Sequence, residues 1–127
     1  MNDVETRYVP TPMGHYAFQV SGDDERSILF ISGNVSHLEL RWEIPHLVRM
    51  NRRLTTFARV VTYDPLGIGS SDPLPEPPPT IEDISGHAMS VMDAAGVDRF
   101  AIVASTHGVS TALAMAAALE RGSSHPL

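Results

Sequence analysis

One stretch of the sequence decides the fold, Phe100-Ala101-Ile102-Val103-Ala104-Ser105-Thr106-His107-Gly108. Its first part, residues 100–104, is an apolar run of the kind that forms a strand buried on both faces. Residues 108–121, which follow, have the length and composition of a helix. The few residues between the two leave room only for a sharp turn, so the stretch predicts a strand that leads directly into a helix.

The same kind of apolar strand occurs twice upstream, at residues 27–31 and 60–63. Two further strands are predicted near the N-terminus, at residues 6–9 and 15–20, because their aromatic and β-branched content favours extended structure. A turn at residues 10–14 is predicted to connect them. With helices between the later strands, the predicted element order is β-β-β-α-β-α-β-α.

Capping patterns mark where the predicted helices begin and end. An S-x-x-E pattern from Ser36 starts a helical segment at about residue 37, which Pro45 restarts. A T-x-x-D pattern from Thr80 starts the next helix, which Gly96 ends. Residues 64–79 carry six of the ten prolines and are predicted to form an internal loop. Alternating buried strands and helices imply a mostly parallel sheet with helices on both faces.

Composition predicts a single domain over residues 1–127 and excludes several functions. The chain has no Cys, which excludes disulfides, thiol catalysis and Cys-ligated zinc. All nine basic residues are Arg, which excludes a P-loop lysine and a Schiff-base lysine. A net charge of -6 argues against nucleic-acid and membrane partners. Since no metal-ligand spacing, dinucleotide fingerprint, signal peptide or spanning segment is visible, we expect a cytoplasmic protein without metal or cofactor.

The turn at residues 104–108 has the spacing of a nucleophile elbow, G-x-S-x-G. In that motif a strained turn exposes the central hydroxyl above the sheet, and small flanking residues let the strand and the helix pack closely. Here Ala104 takes the place of the first glycine, Thr106 that of the nucleophilic serine, and Gly108 that of the last glycine. Thr106 is therefore the candidate catalytic residue.

Several ordered motifs accompany the elbow: SHLELRWEIP at residues 36–45, RVVTYD at 59–64, GIGSSDP at 67–73 and VMDAAG at 91–96. With these motifs in this order, the chain from residue 6 to residue 121 resembles the α/β-hydrolase superfamily. It is most similar to the hydrolase-like domains that actinobacteria often fuse to nucleotide-cyclase or transcription-regulator domains. The resemblance implies the N-terminal half of an α/β-hydrolase fold, with about five strands and flanking helices, and a small ester or acyl compound as substrate.

By position, the resemblance implies Thr106 as the nucleophile and the backbone N–H groups of Asn34 and His107 as the oxyanion hole. The chain departs from the family's D-x-R-G motif, because Leu66 stands where relatives have Arg. Family members carry the triad acid and histidine after later strands. This chain is not expected to supply them, since His125 lies a full helix away from the turn.

Thr106 is a poor nucleophile on physical grounds, which favours an elbow that keeps its shape and has lost its chemistry. The elbow nucleophile sits at positive φ, which is costly for a β-branched residue, and the methyl group would crowd the attacking oxygen. Ser105 lies one position early, and His107 is expected to point away from Thr106 because adjacent side chains around an elbow point apart, so neither is expected to replace Thr106. Asp64 is predicted to cap its own loop. Three histidines without metal spacing are predicted to face solvent, namely His37, His46 and His87.

The sequence leaves three functional interpretations open. The chain is a hydrolase-like protein of esterase or lipase ancestry that is catalytically incompetent by itself, a non-catalytic partner-binding or regulatory remnant, or one half of a split hydrolase that another chain completes. The strand from Phe100 to Ala104 would lack its next neighbour in the family's strand order, 1-2-4-3-5 and onward. It would then present an apolar edge without charge or proline, so we expect self-association or a partner chain there.

Overall fold

The computed structural model describes residues 4–32, 37–105 and 108–122, which form a five-stranded sheet with helices packed against it. The strands are β1 (Arg7–Thr11), β2 (Gly14–Ser21), β3 (Ser27–Ile31), β4 (Arg59–Tyr63) and β5 (Ala101–Ala104). The helices are α1 (Pro45–Leu54), α2 (Ile81–Ala94) and α3 (Gly108–Gly122), and a short 3₁₀ helix, Leu40–Glu43, precedes α1. The predicted order of strands and helices is confirmed.

The strands lie in the order β1-β2-β4-β3-β5. β1 and β2 form an antiparallel hairpin and β2 pairs antiparallel with β4, whereas β3 runs parallel to both β4 and β5. The sheet is therefore mixed, and its parallel part consists of β4, β3 and β5. Because these three strands are parallel, they end at the same edge of the sheet, which is where α/β folds place their sites.

The N-terminal hairpin differs from the prediction at its turn. β1 continues through Pro10 to Thr11, where a turn was predicted, and leaves only Pro12 and Met13 between the two strands. A proline fits here because β1 lies at the edge of the sheet, the position where strands accept that residue. The Thr11 hydroxyl closes the turn, donating to the carbonyl oxygen of Gly14 (2.7 Å) and accepting the N–H of Met13 (3.2 Å).

The segment before α1 is less helical than the sequence predicts. The α-helix begins at Pro45, where the fixed φ of proline suits the first turn, and only the 3₁₀ helix precedes it. His37 caps that short helix, because its Nδ1 accepts the N–H groups of Glu39 and Leu40, each at 3.3 Å. The predicted cap at Ser36 lies outside the described residues.

Helix α2 begins and ends as the sequence predicts. The Thr80 hydroxyl accepts the N–H of Asp83 (3.1 Å), and the Asp83 carboxylate accepts the N–H of Thr80 (2.9 Å), which completes the capping box. Gly96 follows the helix with a φ of +76°, a left-handed conformation that glycine adopts without steric cost. The loop at residues 64–79 contains neither helix nor strand, as predicted.

The hydrophobic core lies between the sheet and the helices α2 and α3. It is built from alternate residues of the central strands and from the facing sides of both helices: Tyr16, Phe18, Leu29, Ile31, Val61, Tyr63, Ala88, Val91, Met92 and Met115. Helix α1 packs against β4 and the 3₁₀ helix, on the other face of the sheet. Helices on both faces confirm the predicted layering, but the core is concentrated on the α2–α3 face.

β5 is not buried on both faces, contrary to the prediction for residues 100–104. Ala101 and Val103 are exposed, and Val103 retains 42% of its accessible surface, whereas Ile102 and Ala104 pack against the core. The reason is its position: in the sheet of the described residues β5 comes last and pairs only with β3. Its outer edge and its α1-side face therefore lack the cover that an interior strand has.

Candidate functional site

The candidate site lies where β3 and β5 end. The two strands are parallel neighbours in which Ile31 is paired with Ala104, so the segments that follow them leave the sheet side by side. The three predicted site residues, Asn34, Thr106 and His107, belong to these segments and lie outside the described residues. Their roles stay predictions, and the structure describes the frame from which both segments start.

That frame includes a tight link from β5 into α3. The N–H of Ser105 donates to the carbonyl oxygen of Ile31 (3.1 Å), which extends the β3–β5 ladder by one residue. The N–H of Gly108 then donates to the carbonyl oxygen of Ser105 (3.0 Å). Because Gly108 also begins α3, the strand leads into the helix within the span that the elbow spacing predicts.

Gly108 shows why the last position of the elbow must be small. A Cβ atom at this position would lie 2.6 Å from Cγ2 of Ile31 and 2.8 Å from its carbonyl oxygen. Both distances are shorter than any ordinary carbon contact, and the carbonyl oxygen belongs to the backbone of β3, which cannot move aside cheaply. Glycine therefore sets how closely the first turn of α3 approaches the sheet.

Asp64, at the end of β4, organises the neighbouring loop. Its side chain is fully buried, and Oδ2 accepts the N–H groups of Ser70 (2.9 Å) and Leu38 (3.2 Å). Gly69 has a φ of +55°, and a Cβ atom there would lie 2.1 Å from the same oxygen. The prediction that Asp64 caps its loop is confirmed, and these contacts give it a positioning role.

Leu66, which stands where the D-x-R-G pattern of α/β hydrolases has an arginine, has a packing role. It is 5% exposed and belongs to the hydrophobic core. The same loop is held to β2 by Ser71, whose hydroxyl accepts the N–H of Ala17 (2.8 Å) and donates to the carbonyl oxygen of Asp64. The loop is thus fixed by packing and backbone contacts.

His87 is buried, which corrects the prediction that it faces solvent. It is 7% exposed on the inner face of α2, and its Nδ1 lies 2.8 Å from the hydroxyl of Tyr16. Burial lowers the pKa of His87, opposed in part by the Asp83 carboxylate, and raises the pKa of Tyr16 to about 12. The helical period could have located it, because His87 lies beside Ala88 and four residues before Val91. His46 is exposed, as predicted, and His37 is half-buried.

A groove that sequence reasoning missed opens beside the ends of β3 and β5, which form the frame of the predicted elbow (the elbow frame), on the α1 face of the sheet. Its volume is about 470 Å³. Apolar side chains from β3, the 3₁₀ helix and α1 form most of its wall: Phe30, Leu40, Ile44, Leu47 and Met50. Its polar lining consists of Ser32, His37, Arg41 and Ser105. Because these residues come from four separate segments, no local sequence pattern indicates the groove.

Other kinds of site find no support in the described part of the chain. Residues 4–32, 37–105 and 108–122 contain no group of three or more side chains that could hold a metal ion. Over the same ranges no helix has the length and apolar character needed to cross a membrane.

Comparisons with known proteins identify the fold. No protein-family model matches the sequence, and no curated protein matches it either. Among solved structures, a Pseudomonas aeruginosa protein assigned to the epoxide hydrolases (Q244E mutant) superposes with a TM-score of 0.76 at 20% identity, over 94% of this chain and 38% of that one. An epoxide hydrolase from Vigna radiata matches with a TM-score of 0.70 at 21% identity, over 89% of this chain and 35% of its own.

A third similar structure is a membrane phospholipase A described as a bacterial virulence factor. It has a TM-score of 0.72 at 22% identity, and the match covers 90% of this chain and 35% of that one. The chain therefore spans between 35% and 38% of the length of these three structures. It has the fold of a partial α/β-hydrolase domain, and at this level of identity the likeness concerns the fold alone.

Proposed function

We propose that these 127 residues form an α/β-hydrolase-like scaffold that does not hydrolyse esters on its own. The observation that carries the proposal is the elbow frame, in which Gly108 packs against Ile31 while the nucleophile position holds Thr106. The frame supports descent from a hydrolase, whereas a threonine at this position argues against a working nucleophile. Threonine nucleophiles require an adjacent base or a terminal amine for activation.

The polar groups near the end of β4 and on α2 support the same proposal, because they already have structural partners. Asp64 accepts backbone N–H groups, and His87 pairs with Tyr16. His15, on β2, has Nδ1 3.1 Å from the carboxylate of Asp72. His15 and Asp72 do form a base–acid pair, but β4 and β3 separate β2 from β5, so this pair is not placed beside the elbow as in a triad.

An ester-hydrolysis assay tests this proposal. The purified chain, Thr106→Ala and Thr106→Ser are compared on p-nitrophenyl butyrate, with circular dichroism to check that all three are folded. We expect the three proteins to show the same rate, near the buffer background, apart from a small contribution from oxyanion stabilisation. Turnover by the unmodified chain that Thr106→Ala abolishes would overturn the proposal. A large gain in Thr106→Ser would also overturn it, because that gain requires a base in place.

A second candidate function, partner binding, is favoured by the exposed edge of β5. Ala101 and Val103 are exposed there, and α3, which packs against β5, carries a further exposed side chain, Leu113, with 67% of its surface accessible. We infer that a strand from further polypeptide, in continuation of the sheet, pairs with β5 in the functional protein. The isolated chain is then expected to use the same edge for self-association, which is tested below.

A further inference from the structure

The groove on the α1 face combines an apolar wall with one half-buried cation. Its five apolar residues come from three elements, and two of them, Leu40 and Ile44, remain 53% and 39% exposed. A volume of about 470 Å³ lies in the range of small-molecule pockets, which are mostly apolar with a few polar groups that fix orientation. The groove is therefore suited to a ligand with an aliphatic body.

Arg41 supplies the charge that such a ligand must match. It is half-buried in the 3₁₀ helix, and in the described residues no carboxylate lies within 4 Å of its guanidinium and no hydrogen bond engages it. Burial lowers the pKa of Arg41, although the Asp64 carboxylate partly compensates. A guanidinium that is partly desolvated and has no bonded partner among the described residues gains strongly from a carboxylate, which it can bind through two parallel hydrogen bonds.

The remaining polar lining favours an anion with a single charge. The Nδ1 of His37 accepts the N–H groups of Glu39 and Leu40, so the neutral ring carries its proton on Nε2 and is a second hydrogen-bond donor. In the described lining Arg41 is the one permanent cation. The buried Asp64 carboxylate already offsets part of the Arg41 charge, so a singly charged carboxylate suits this lining better than a phosphate dianion, whose excess negative charge would lie beside an apolar wall.

We propose that this groove binds an aliphatic carboxylate, with the chain along Ile44, Leu47 and Met50 and the head group on Arg41. The binding requires no hydrolysis and is independent of the function proposed above. Since Ser105 also lines the groove and directly precedes Thr106, the bound carboxylate would lie close to the elbow position.

Calorimetric titration of the 127-residue chain with decanoate and with decan-1-ol tests the proposal at neutral pH. The two probes share an aliphatic chain and differ in the charge of the head group. We expect decanoate to bind at least about tenfold more tightly, the ratio that a charge-assisted hydrogen bond provides.

Two pairs of variants locate the bound ligand. Arg41→Gln should remove the preference for decanoate, whereas Arg49→Gln, on α1 outside the groove, should retain it. Ile44→Glu should weaken both probes, and His46→Glu, on the exposed side of α1, should leave both unchanged. Circular dichroism confirms that each variant is folded.

Three outcomes would overturn the proposal. In the first, decanoate binds the folded chain no more tightly than decan-1-ol does. In the second, Arg49→Gln weakens the binding of decanoate as much as Arg41→Gln does. In the third, Ile44→Glu leaves the binding of both probes unchanged. The second outcome would indicate a general effect of charge, and the third would place the ligand elsewhere on the surface. Because the ester assay measures turnover and these titrations measure affinity, failure of one proposal is distinguishable from failure of the other.

Discussion

The two faces of β3 and β5 differ in how completely the chain covers them. On the α2–α3 face, Leu29 and Ile31 are almost fully buried, and Ile102 packs against the same core. On the α1 face, Phe30 is only half-buried and Val103 is exposed. The same two strands thus pack against a continuous core on the α2–α3 face and border an open groove and an exposed edge on the α1 face. The contrast shows that α2 and α3 cover the core of the described residues, whereas the α1 face keeps exposed apolar surface.

Truncating one side chain on each face gives the largest expected contrast. Leu29→Ala removes a fully buried side chain from the core and should lower the free energy of unfolding by about 3 kcal/mol, because a cavity remains. Val103→Ala, on the adjacent strand, should cost less than about 1 kcal/mol, because that side chain is already partly hydrated. Urea denaturation measures both. Equal losses would mean that the α1 face is covered in solution.

The approach of α3 to β3 gives the next largest effect. Gly108→Ala places a methyl group 2.6 Å from the side chain of Ile31, so the helix must shift, and the expected cost is about 1–3 kcal/mol. Gly86→Ala is the matched control, since a Cβ atom there meets nothing within 4 Å. In the exposed middle of α2 it should stabilise the fold by about 0.5–1 kcal/mol. A neutral Gly108→Ala would show that the elbow frame is looser than described.

The sequence predicts the structure of the α2–α3 face better than that of the α1 face. Apolar runs locate β3, β4 and β5, and the caps at Thr80 and Gly96 locate α2, because these signals are local and repeat with the element's own period. Burial is less predictable, since it depends on which neighbour an element receives. The apolar sequence of β5 predicts a buried strand, but β5 comes last in the described sheet and is half exposed.

The candidate site was predictable only in part for a related reason. The elbow spacing marks Gly108, whose close contact with Ile31 confirms the need for a small residue. The groove joins β3, the 3₁₀ helix, α1 and Ser105, which are separated in sequence and meet only in the fold. The partnership between Tyr16 and His87 is equally non-local, because 71 residues separate them. Contacts of this kind depend on topology, which a single sequence specifies weakly.

The open edge of β5 should make the isolated chain self-associate. Its four residues carry no charge and no proline, so nothing in the strand opposes pairing with another edge. Light scattering after size exclusion should show dimers or larger species, and hydrogen exchange should be slower in β5 at high protein concentration. Val103→Lys should shift the population towards monomer, and Thr56→Lys, in the exposed turn between α1 and β4, should not, because β4 does not pair with β5. A monomer with strongly protected β5 amides at every concentration would contradict this prediction.

The smallest expected effect is a pH dependence of the stability of the fold. It arises on the α2–α3 face, where α2 buries His87 against Tyr16. Burial lowers the pKa of His87 from 6.5, so between the folded and unfolded values the unfolded chain binds more protons. The contribution of His87 is fully present above the unfolded value and is lost as the pH falls through the window towards the lower folded value. Urea midpoints measured from pH 8 to about pH 5 should therefore decline less steeply in His87→Gln than in the unmodified chain. His46→Gln, which changes an exposed histidine, should keep the original slope. If His87→Gln also keeps it, His87 is hydrated in solution and the α2 face is less tightly closed than its packing indicates.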